Sequence, residues 1–325
     1  MRELKIGKND AGQRLDKFIT KALDLPVSLL YKSIRLKKIK VNRKRAENAQ
    51  ILAEGDTVQC FLAEEFFARM DGSEDACVSL SRIVPHLDIV YEDENIMLLN
   101  KRPGVSVHED ENSNVNTLIN HIQAYLYAKG EYDPDSEMSF APALCNRIDR
   151  NTGGIVIAAK NAEALRVMNE KIKLRQIDKL YLAAVHGRPE KKSDTLRGFL
   201  IKDQKNNKVR VYDKNPPREA KEIITKYTVL SAKADRSLIE VELLTGRTHQ
   251  IRAHMAHIGH PLLGDGKYGI NKQDRAEGYK YQALYSYKLR LSFKGEPTLL
   301  EYLNGKEFSI PKSQIYFTKE FFQKH

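Results

Sequence analysis

Three short runs of the chain carry side chains that could act together in one reaction. The densest is Asn146, Arg147, Ile148, Asp149, Arg150, Asn151, Thr152, Gly153, Gly154, where one carboxylate stands between two guanidinium groups. Nearby positive charge favours the ionised carboxylate, so Asp149 suits a nucleophile or a base. The plainer alternative is a turn in which Asp149 satisfies backbone donors and both arginines face water. A second run, Thr245 to His254, holds Arg247, Thr248, His249, Gln250 and Arg252. The third, Lys179 to Val185, reads as a strand with Lys179, Tyr181, Ala183 and Val185 on one face. An inward Tyr181 is either a core aromatic with its hydroxyl satisfied at the edge, or a ring that stacks on a base and exchanges a proton.

The elements around these runs limit what they can do. Thr248 is expected to cap a helix whose buried stripe is Ile251, Met255 and Ile258, and Gly259 to end it. Arg252 then falls beside that stripe, at a core boundary where an arginine needs an anionic partner, and Asp149 is the candidate. His254 and His257 share a helix face, but no glutamate stands between them as in the common metalloprotease pattern, so no metal is expected. Ile155 to Ala159 is short, β-branched and bracketed by Gly153 and Lys160, as a buried strand would be. Asn161 is placed to cap a helix carrying Leu165, Met168 and Ile172. Leu87 to Tyr91 and Ile96 to Leu99 form a predicted hairpin, and Ile223 to Leu230 and Leu238 to Leu244 are further predicted strands. Strands outnumber helices and mostly neighbour one another, which predicts an α+β catalytic domain with a mostly antiparallel mixed β-sheet flanked by helices and loops.

The chain has 325 residues, 41% apolar and 30% charged, enough for one large core and a small second one. Its 54 basic and 43 acidic side chains leave a net charge of +11, which favours a polyanionic partner, with nucleic acid the first suspect. The aliphatic run Ile155 to Ala159 is far short of the roughly 20 residues that cross a bilayer, so no membrane span is expected. Met1 to Asp10 lacks the apolar stretch of a secretory signal. Cys60, Cys77 and Cys145 have no metal-type spacing, and a cytoplasmic monomer without disulfides is expected. Charge is uneven along the chain. Residues 1–62 hold 14 basic and 7 acidic side chains, and residues 63–75 hold 1 and 5. This predicts a basic head at 1–62, a linker at 63–84 and a large domain at 85–325.

In the head, Leu15, Phe18, Ile19 and Leu23 recur at helical spacing, and Leu29, Leu30 and Ile34 follow Ser28, a predicted N-cap. Ile39 and Val41 enter a polar turn at 42–44, and Val58 to Phe61 reads as a closing strand. Between them Lys32, Arg35, Lys37, Lys38, Lys40, Arg43, Lys44 and Arg45 form a basic block without a single acid. Such a block is either a solvated helix face or a phosphate-binding surface, and its unbroken sign favours phosphate. With Gly12, Arg14, Leu15 and Asp16 opening the first helix, Ser28 to Arg35 on the second and Ile39 to Asn42 entering the turn, the head resembles the S-four-type RNA-binding domain.

The three runs, in this order and spacing, resemble the RluA-type family of pseudouridine synthases. The carrying residues are Arg147, Ile148, Asp149, Arg150, Thr152 and Gly154; Lys179, Tyr181 and Ala183; and Gly246 through His254. His260 to Asp265 with Tyr268 and Gly269, and Ile89 to Lys101 with Pro103, Gly104 and His108, extend the likeness. The basic head makes the RluC-like members, which act on large-subunit ribosomal RNA, the most similar. Two positions depart from the family pattern, Asn146 where histidine is usual and Gly153 where serine is usual. Asparagine does not titrate, so no proton is transferred at 146.

The resemblance implies a cofactor-free isomerisation of uridine in RNA: the bond from uracil N1 to ribose breaks, the base turns, and it rejoins through C5. A stacked target must be flipped out. On this likeness Asp149 acts on the ribose, attacking the anomeric carbon or taking a proton from its neighbour. Arg252 holds that carboxylate, and Tyr181 stacks on the uracil and assists C5 deprotonation. Arg147 fills the vacated position, and Arg150, Thr152, Arg247, His249 and Gln250 line the substrate. The alternatives are a non-catalytic RNA-binding or ribosome-assembly protein, a synthase acting on transfer RNA, and a metal-dependent hydrolase built on His254 and His257.

Overall fold

A computed structural model describes residues 1–23, 25–68, 74–108, 117–203, 208–233, 235–269 and 271–322. The head is a four-stranded antiparallel sheet under two helices. Strands β1 (Arg2–Lys5), β2 (Ile39–Val41), β3 (Lys44–Arg45) and β4 (Thr57–Cys60) lie in the order β1-β4-β2-β3. Helix α1 (Leu15–Ala22) buries Leu15, Phe18, Ile19 and Ala22, one face at helical period. Helix α2 (Val27–Arg35) starts two residues earlier than expected. Pro26 is its N-cap, Ser28 lies inside the first turn, and no side chain caps it. Asn42 and Arg43 both have positive φ, as the two central residues of a type I′ hairpin turn require.

The acidic stretch expected as a linker is not bare chain. Glu64 to Phe67 form a 3-10 turn that drives Phe67 into the head core under Arg2, whose guanidinium lies 4.9 Å from the ring centre. Helix α3 (Glu74–Ser81) follows, packed beside α4 (Leu118–Ala128). Asn9 donates to Glu137 (2.5 Å) and accepts from the Ala162 amide (3.1 Å), Gln13 donates to Ser139 (2.7 Å), and Arg166 donates to the Ala11 carbonyl (3.0 Å), which ties the head to the body.

The body is an eleven-stranded mixed sheet, as the strand pattern predicted. Its strands are β5 (Ile89–Glu92), β6 (Ile96–Lys101), β7 (Ala143–Leu144), β8 (Gly153–Ala159), β9 (Ile177–His186), β10 (Ser193–Asp203), β11 (Lys208–Tyr212), β12 (Lys221–Lys233), β13 (Arg236–Leu243), β14 (Leu284–Leu291) and β15 (Glu307–Ser309). The main path runs β11-β10-β12-β13-β9-β14-β8-β6-β5, with β7 on β8 and β15 on β14. Among the described residues every pairing is antiparallel except β8 with β14. Alternate residues feed two cores, one on each face of the sheet. Ile155, Ile157, Leu180 and Leu182 pack on one side with Met168 of α5 (Ala162–Lys173). Val156, Ala158, Tyr181 and Ala183 pack on the other with Ile122 of α4 and with Ile251 and Met255 of α6 (Gln250–His257). Burial on both faces explains why β8 reads as an unbroken apolar run. Asn161 caps α5 by accepting from the Ala164 amide at 2.8 Å. No helix is long and apolar enough to cross a membrane among the described residues.

Candidate active site

Asp149 lies in the loop that enters β8, on the face of the sheet that carries Tyr181. The loop is pinned at three points. The Asn146 side-chain oxygen accepts from the Ile157 amide (2.8 Å), the Thr152 amide donates to the Asp149 carbonyl (2.9 Å), and the Gln282 amide donates to the Thr152 hydroxyl (3.2 Å). Asn146 therefore works as a structural tie, and its buried Nδ2 has no partner among the described residues. Gly154 has φ +111°, and a Cβ there would stand 2.1 Å from the Ser286 carbonyl oxygen, so only glycine permits the close parallel approach of β8 and β14. At Gly153 a Cβ would meet the Tyr285 ring at 2.4 Å. The serine usual in the resembled family would collide with that tyrosine.

Lys101, at the end of β6, is buried to 2% exposure and donates to the carbonyls of Arg102 (3.1 Å), Val105 (2.9 Å) and Arg150 (2.8 Å). Burial lowers its pKa to about 7 against the opposing charge of Asp149. The ammonium bolts the turn after β6 to the residue next to Asp149. Arg150 returns the tie by donating from Nε to the Gly104 carbonyl (3.1 Å).

Arg252 rises from α6 between two carboxylates. Its Nε and Nη2 bind Asp265 side-on at 2.7 and 2.9 Å, and its Nη1 reaches Oδ2 of Asp149 at 2.8 Å. Asp265 is fully buried and also accepts from the amides of Lys267 (2.9 Å) and Tyr268 (3.2 Å). Burial pushes its carboxyl up, but the Arg252 hydrogen bonds, the guanidinium charge and the two amides outweigh this and hold it below the usual range. Arg252 is opposed by burial and favoured by both carboxylates, with the net effect of raising its already high pKa. Asp149 is more open, its side chain 26% exposed. His249 Nε2 faces the same Oδ2 at 3.8 Å, so both cation-capable groups lie on one oxygen and no described residue bonds Oδ1.

Thr248 does not cap α6. The N-cap is His249, in the left-handed region at φ 55°, with no side-chain cap, and Gln250 instead ties the preceding turn to the helix, its Oε1 accepting from the Arg247 amide (3.1 Å) and the Thr245 hydroxyl (2.9 Å). Its Nε2 donates to the Ile224 carbonyl (3.1 Å) and the Thr225 hydroxyl (3.0 Å). Gln250 thus has its side-chain donors and acceptor engaged within the protein, and buried Thr152 accepts from Gln282 through its hydroxyl oxygen. His254 and His257 do not converge either: the first meets Thr225 (3.0 Å) and the second Asp213 (3.0 Å).

Tyr181 sits on β9 across from Ser286 of β14. Burial pushes its phenol up to about 12, with the Ser286 hydroxyl opposing and the Asp149 charge adding to the shift, so the group is protonated at neutral pH. Arg147 and Arg247 are exposed beside the site and have no ion-pair partner among the described residues. In the head, Lys32, Arg35, Lys37, Lys38, Arg43, Lys44 and Arg45 are exposed, and Lys40 lies 5.4 Å from the centre of the Phe61 ring. The residues missed from sequence as parts of the site are Lys101, Asp265 and Tyr268. A signal for Asp265 exists in the chain: an acid directly after Leu262, Leu263 and Gly264, and so expected to be buried and paired.

Comparison with known proteins gives a family for the chain. Residues 95–257 match the RNA pseudouridylate synthase family. A ribosomal large subunit pseudouridine synthase C of Vibrio vulnificus is 31% identical over 271 residues, 83% of this chain and 80% of that one. An uncharacterized RNA pseudouridine synthase of Mycoplasma genitalium is 32% identical over 289 residues, 87% of each chain. The solved structure of human RNA pseudouridylate synthase domain containing 1 shares the fold, with a TM-score of 0.55, 23% identity and coverage of 70% of this chain and 84% of that one. The chain therefore belongs to the RNA pseudouridylate synthase family, and it is an enzyme that isomerises uridine in RNA to pseudouridine.

Proposed function

We propose that the substrate is large-subunit ribosomal RNA and that Asp149 is the carboxylate that acts on the target ribose. The observation that carries the second part is the two-sided grip on Arg252, which holds Oδ2 of Asp149 and leaves Oδ1 open. In the reaction the bond from N1 to C1′ breaks and the bond from C5 to C1′ forms. The C5 proton leaves and N1 gains one, so atoms balance without an oxidant or a metal. Oδ1 works on the ribose, and Arg252 supplies the counter-charge and aims the carboxylate. Tyr181, protonated and buried, offers its ring to the uracil and its hydroxyl as a donor. Arg147, Arg247 and Arg150 lie at the exposed rim, where an extruded nucleotide and its phosphates must pass.

Residues 1–62, with Phe67 packed into them, serve as an S-four-like RNA-binding domain ahead of a catalytic domain at 85–325, joined through 63–84. The reading is supported by the seven exposed cations of the 32–45 block, none of which has an ion-pair partner among the described residues. A cytoplasmic location fits the three free thiols, and a monomer fits a site assembled from one chain. The Vibrio relative is named for the large ribosomal subunit, which favours that RNA over transfer RNA. The test is tritium release from RNA labelled at uridine C5, with the wild type and Asp149→Asn. Release from protein-free large-subunit RNA by the wild type alone supports the reading. Release by the variant overturns the role of Asp149, and release from transfer RNA alone overturns the substrate.

A further inference from the structure

Tyr268 touches both groups that hold Asp149. Its ring centre lies 5.3 Å from the Arg252 guanidinium carbon, and its hydroxyl lies 2.9 Å from Nδ1 of His249, the two rings meeting edge-on at 77°. The same hydroxyl oxygen accepts from the Val209 amide of β11 at 2.9 Å. His249 pays for this placement with a left-handed backbone that a non-glycine residue seldom adopts.

These contacts decide where the imidazole proton sits. If Nδ1 carried it, the Tyr268 oxygen would receive two N–H groups, its own proton would have no acceptor among the described residues, and the bare Nε2 lone pair would face the Asp149 carboxylate. If Nε2 carries it, the phenol donates to Nδ1, the Val209 amide donates to the phenol, and the N–H of Nε2 points at a carboxylate oxygen. The phenol and the Val209 amide then each have an acceptor, and the Nε2 proton faces the carboxylate instead of a lone pair facing it. We propose that Tyr268 is a positioning residue that fixes His249 as the Nε2–H tautomer, making the imidazole a second donor to Oδ2 of Asp149 beside Arg252. At 3.8 Å that donor stands off, and a closure of about 1 Å on substrate binding brings it into hydrogen-bond range. The proposal rests on Asp149 being the catalytic carboxylate. It adds that Val209 of β11, through one hydroxyl, bears on how that carboxylate is held.

The tautomer can be observed directly. In the nitrogen-15-labelled full chain at mildly alkaline pH, long-range correlation of the imidazole nitrogens separates protonated from bare nitrogen, and the loss of one pattern in His249→Gln assigns His249. The wild type is expected to show Nε2 protonated and Nδ1 bare. Tyr268→Phe, which keeps the ring under Arg252, is expected to give mixed tautomers at His249 and a single-turnover rate lower by about tenfold, with RNA affinity unchanged. A wild-type His249 protonated on Nδ1 overturns the proposal, as does a Tyr268→Phe variant with unaltered tautomer or unaltered rate. Activity in Asp149→Asn would instead sink the reading of the carboxylate and leave the tautomer result standing.

Discussion

Asp265→Asn removes charge from the rear of Arg252 without changing shape. The wild-type carboxylate is fully buried and receives four hydrogen bonds, with Oδ2 taking Nε of Arg252 and Oδ1 taking Nη2 of Arg252 and the amides of Lys267 and Tyr268. In the variant Oδ1 keeps its three, but the new amide nitrogen faces the Nε donor. One charge-assisted hydrogen bond, about 1.5 to 3 kcal/mol, is lost, and a buried guanidinium loses half of its neutralisation. Removing one partner of a buried pair costs about 3 to 5 kcal/mol. Asp149 remains, which puts the expected loss at the lower end, about 3 kcal/mol. The contrasting variant is Asp149→Asn. That side chain is 26% exposed and Arg252 stays clamped by Asp265, so the stability cost is about 1 kcal/mol or less. Urea unfolding and tritium release should therefore separate the two. Asp265→Asn loses about 3 kcal/mol, and its rate falls by about a hundredfold as Arg252 loosens its aim. Asp149→Asn keeps its stability and loses all release. The pH dependence has a definite sign. The Asp265 carboxyl is held below its unfolded value of about 3.9, so its contribution is fully present above that pH and is lost as pH falls through the lower folded value. The stability of Asp265→Asn should fall less steeply than that of the wild type below about pH 4. An Asp265→Asn protein within about 1 kcal/mol of wild type would refute the account of Arg252 as held from behind.

Lys101→Met should cost about 1 to 3 kcal/mol in urea unfolding and lower tritium release, because the Val105 carbonyl loses its donor and the Arg102 and Arg150 carbonyls keep only the amides of Val105 and Gly104, so the Arg150 backbone beside Asp149 is held less firmly; an unchanged unfolding midpoint would show that the tie is idle. Gly153→Ser should lose about 1 to 3 kcal/mol through collision with Tyr285, whose hydroxyl is anchored on Asn100 at 2.6 Å, and Tyr285→Ala in the same chain should remove that added loss. Alanine at Lys37, Lys38, Lys44 and Arg45 should weaken RNA binding and flatten its logarithmic salt dependence by roughly 0.7 to 0.9 per lost phosphate contact, with the rate at saturating RNA unchanged; a salt slope equal to that of wild type would take the head out of RNA binding.

What the sequence made legible was local chemistry on a regular frame. Ile251 and Met255 define a helical stripe, Arg252 falls at its edge, and an arginine there needs an anion, so its contact with Asp149, 103 residues away, follows from the residue pattern alone. The apolar run Ile155 to Ala159 within β8 and the Asn161 cap are legible for the same reason. The failures lie where a loop takes over from the regular pattern. Thr248 has the right residue type for an N-cap, but the left-handed turn at His249 carries it outside, and Gln250 braces the turn before the helix through the Arg247 amide. Strands β10 and β11 escape a reading by hydrophobic pattern because they alternate with charged residues and bury little, with Leu200 and Val209 their only buried large apolar side chains among the described residues. Val209 is the residue whose amide reaches Tyr268.

Asp265 is where such a loop bears most directly on function. A guanidinium presents its donors in one plane, so an arginine bound through a single nitrogen can still pivot, whereas one bound side-on cannot. With Nε and Nη2 both on Asp265, the position of Nη1 is set before substrate arrives, and Asp149 takes up the geometry that Nη1 dictates. The pair visible in the sequence explains why Asp149 has a counter-charge. The third residue, brought in by the loop after α6, explains why Asp149 is aimed. Because both functions pass through one buried side chain, shortening it by Arg252→Lys should abolish the aim while retaining much of the charge, and the rate should fall far more than stability does.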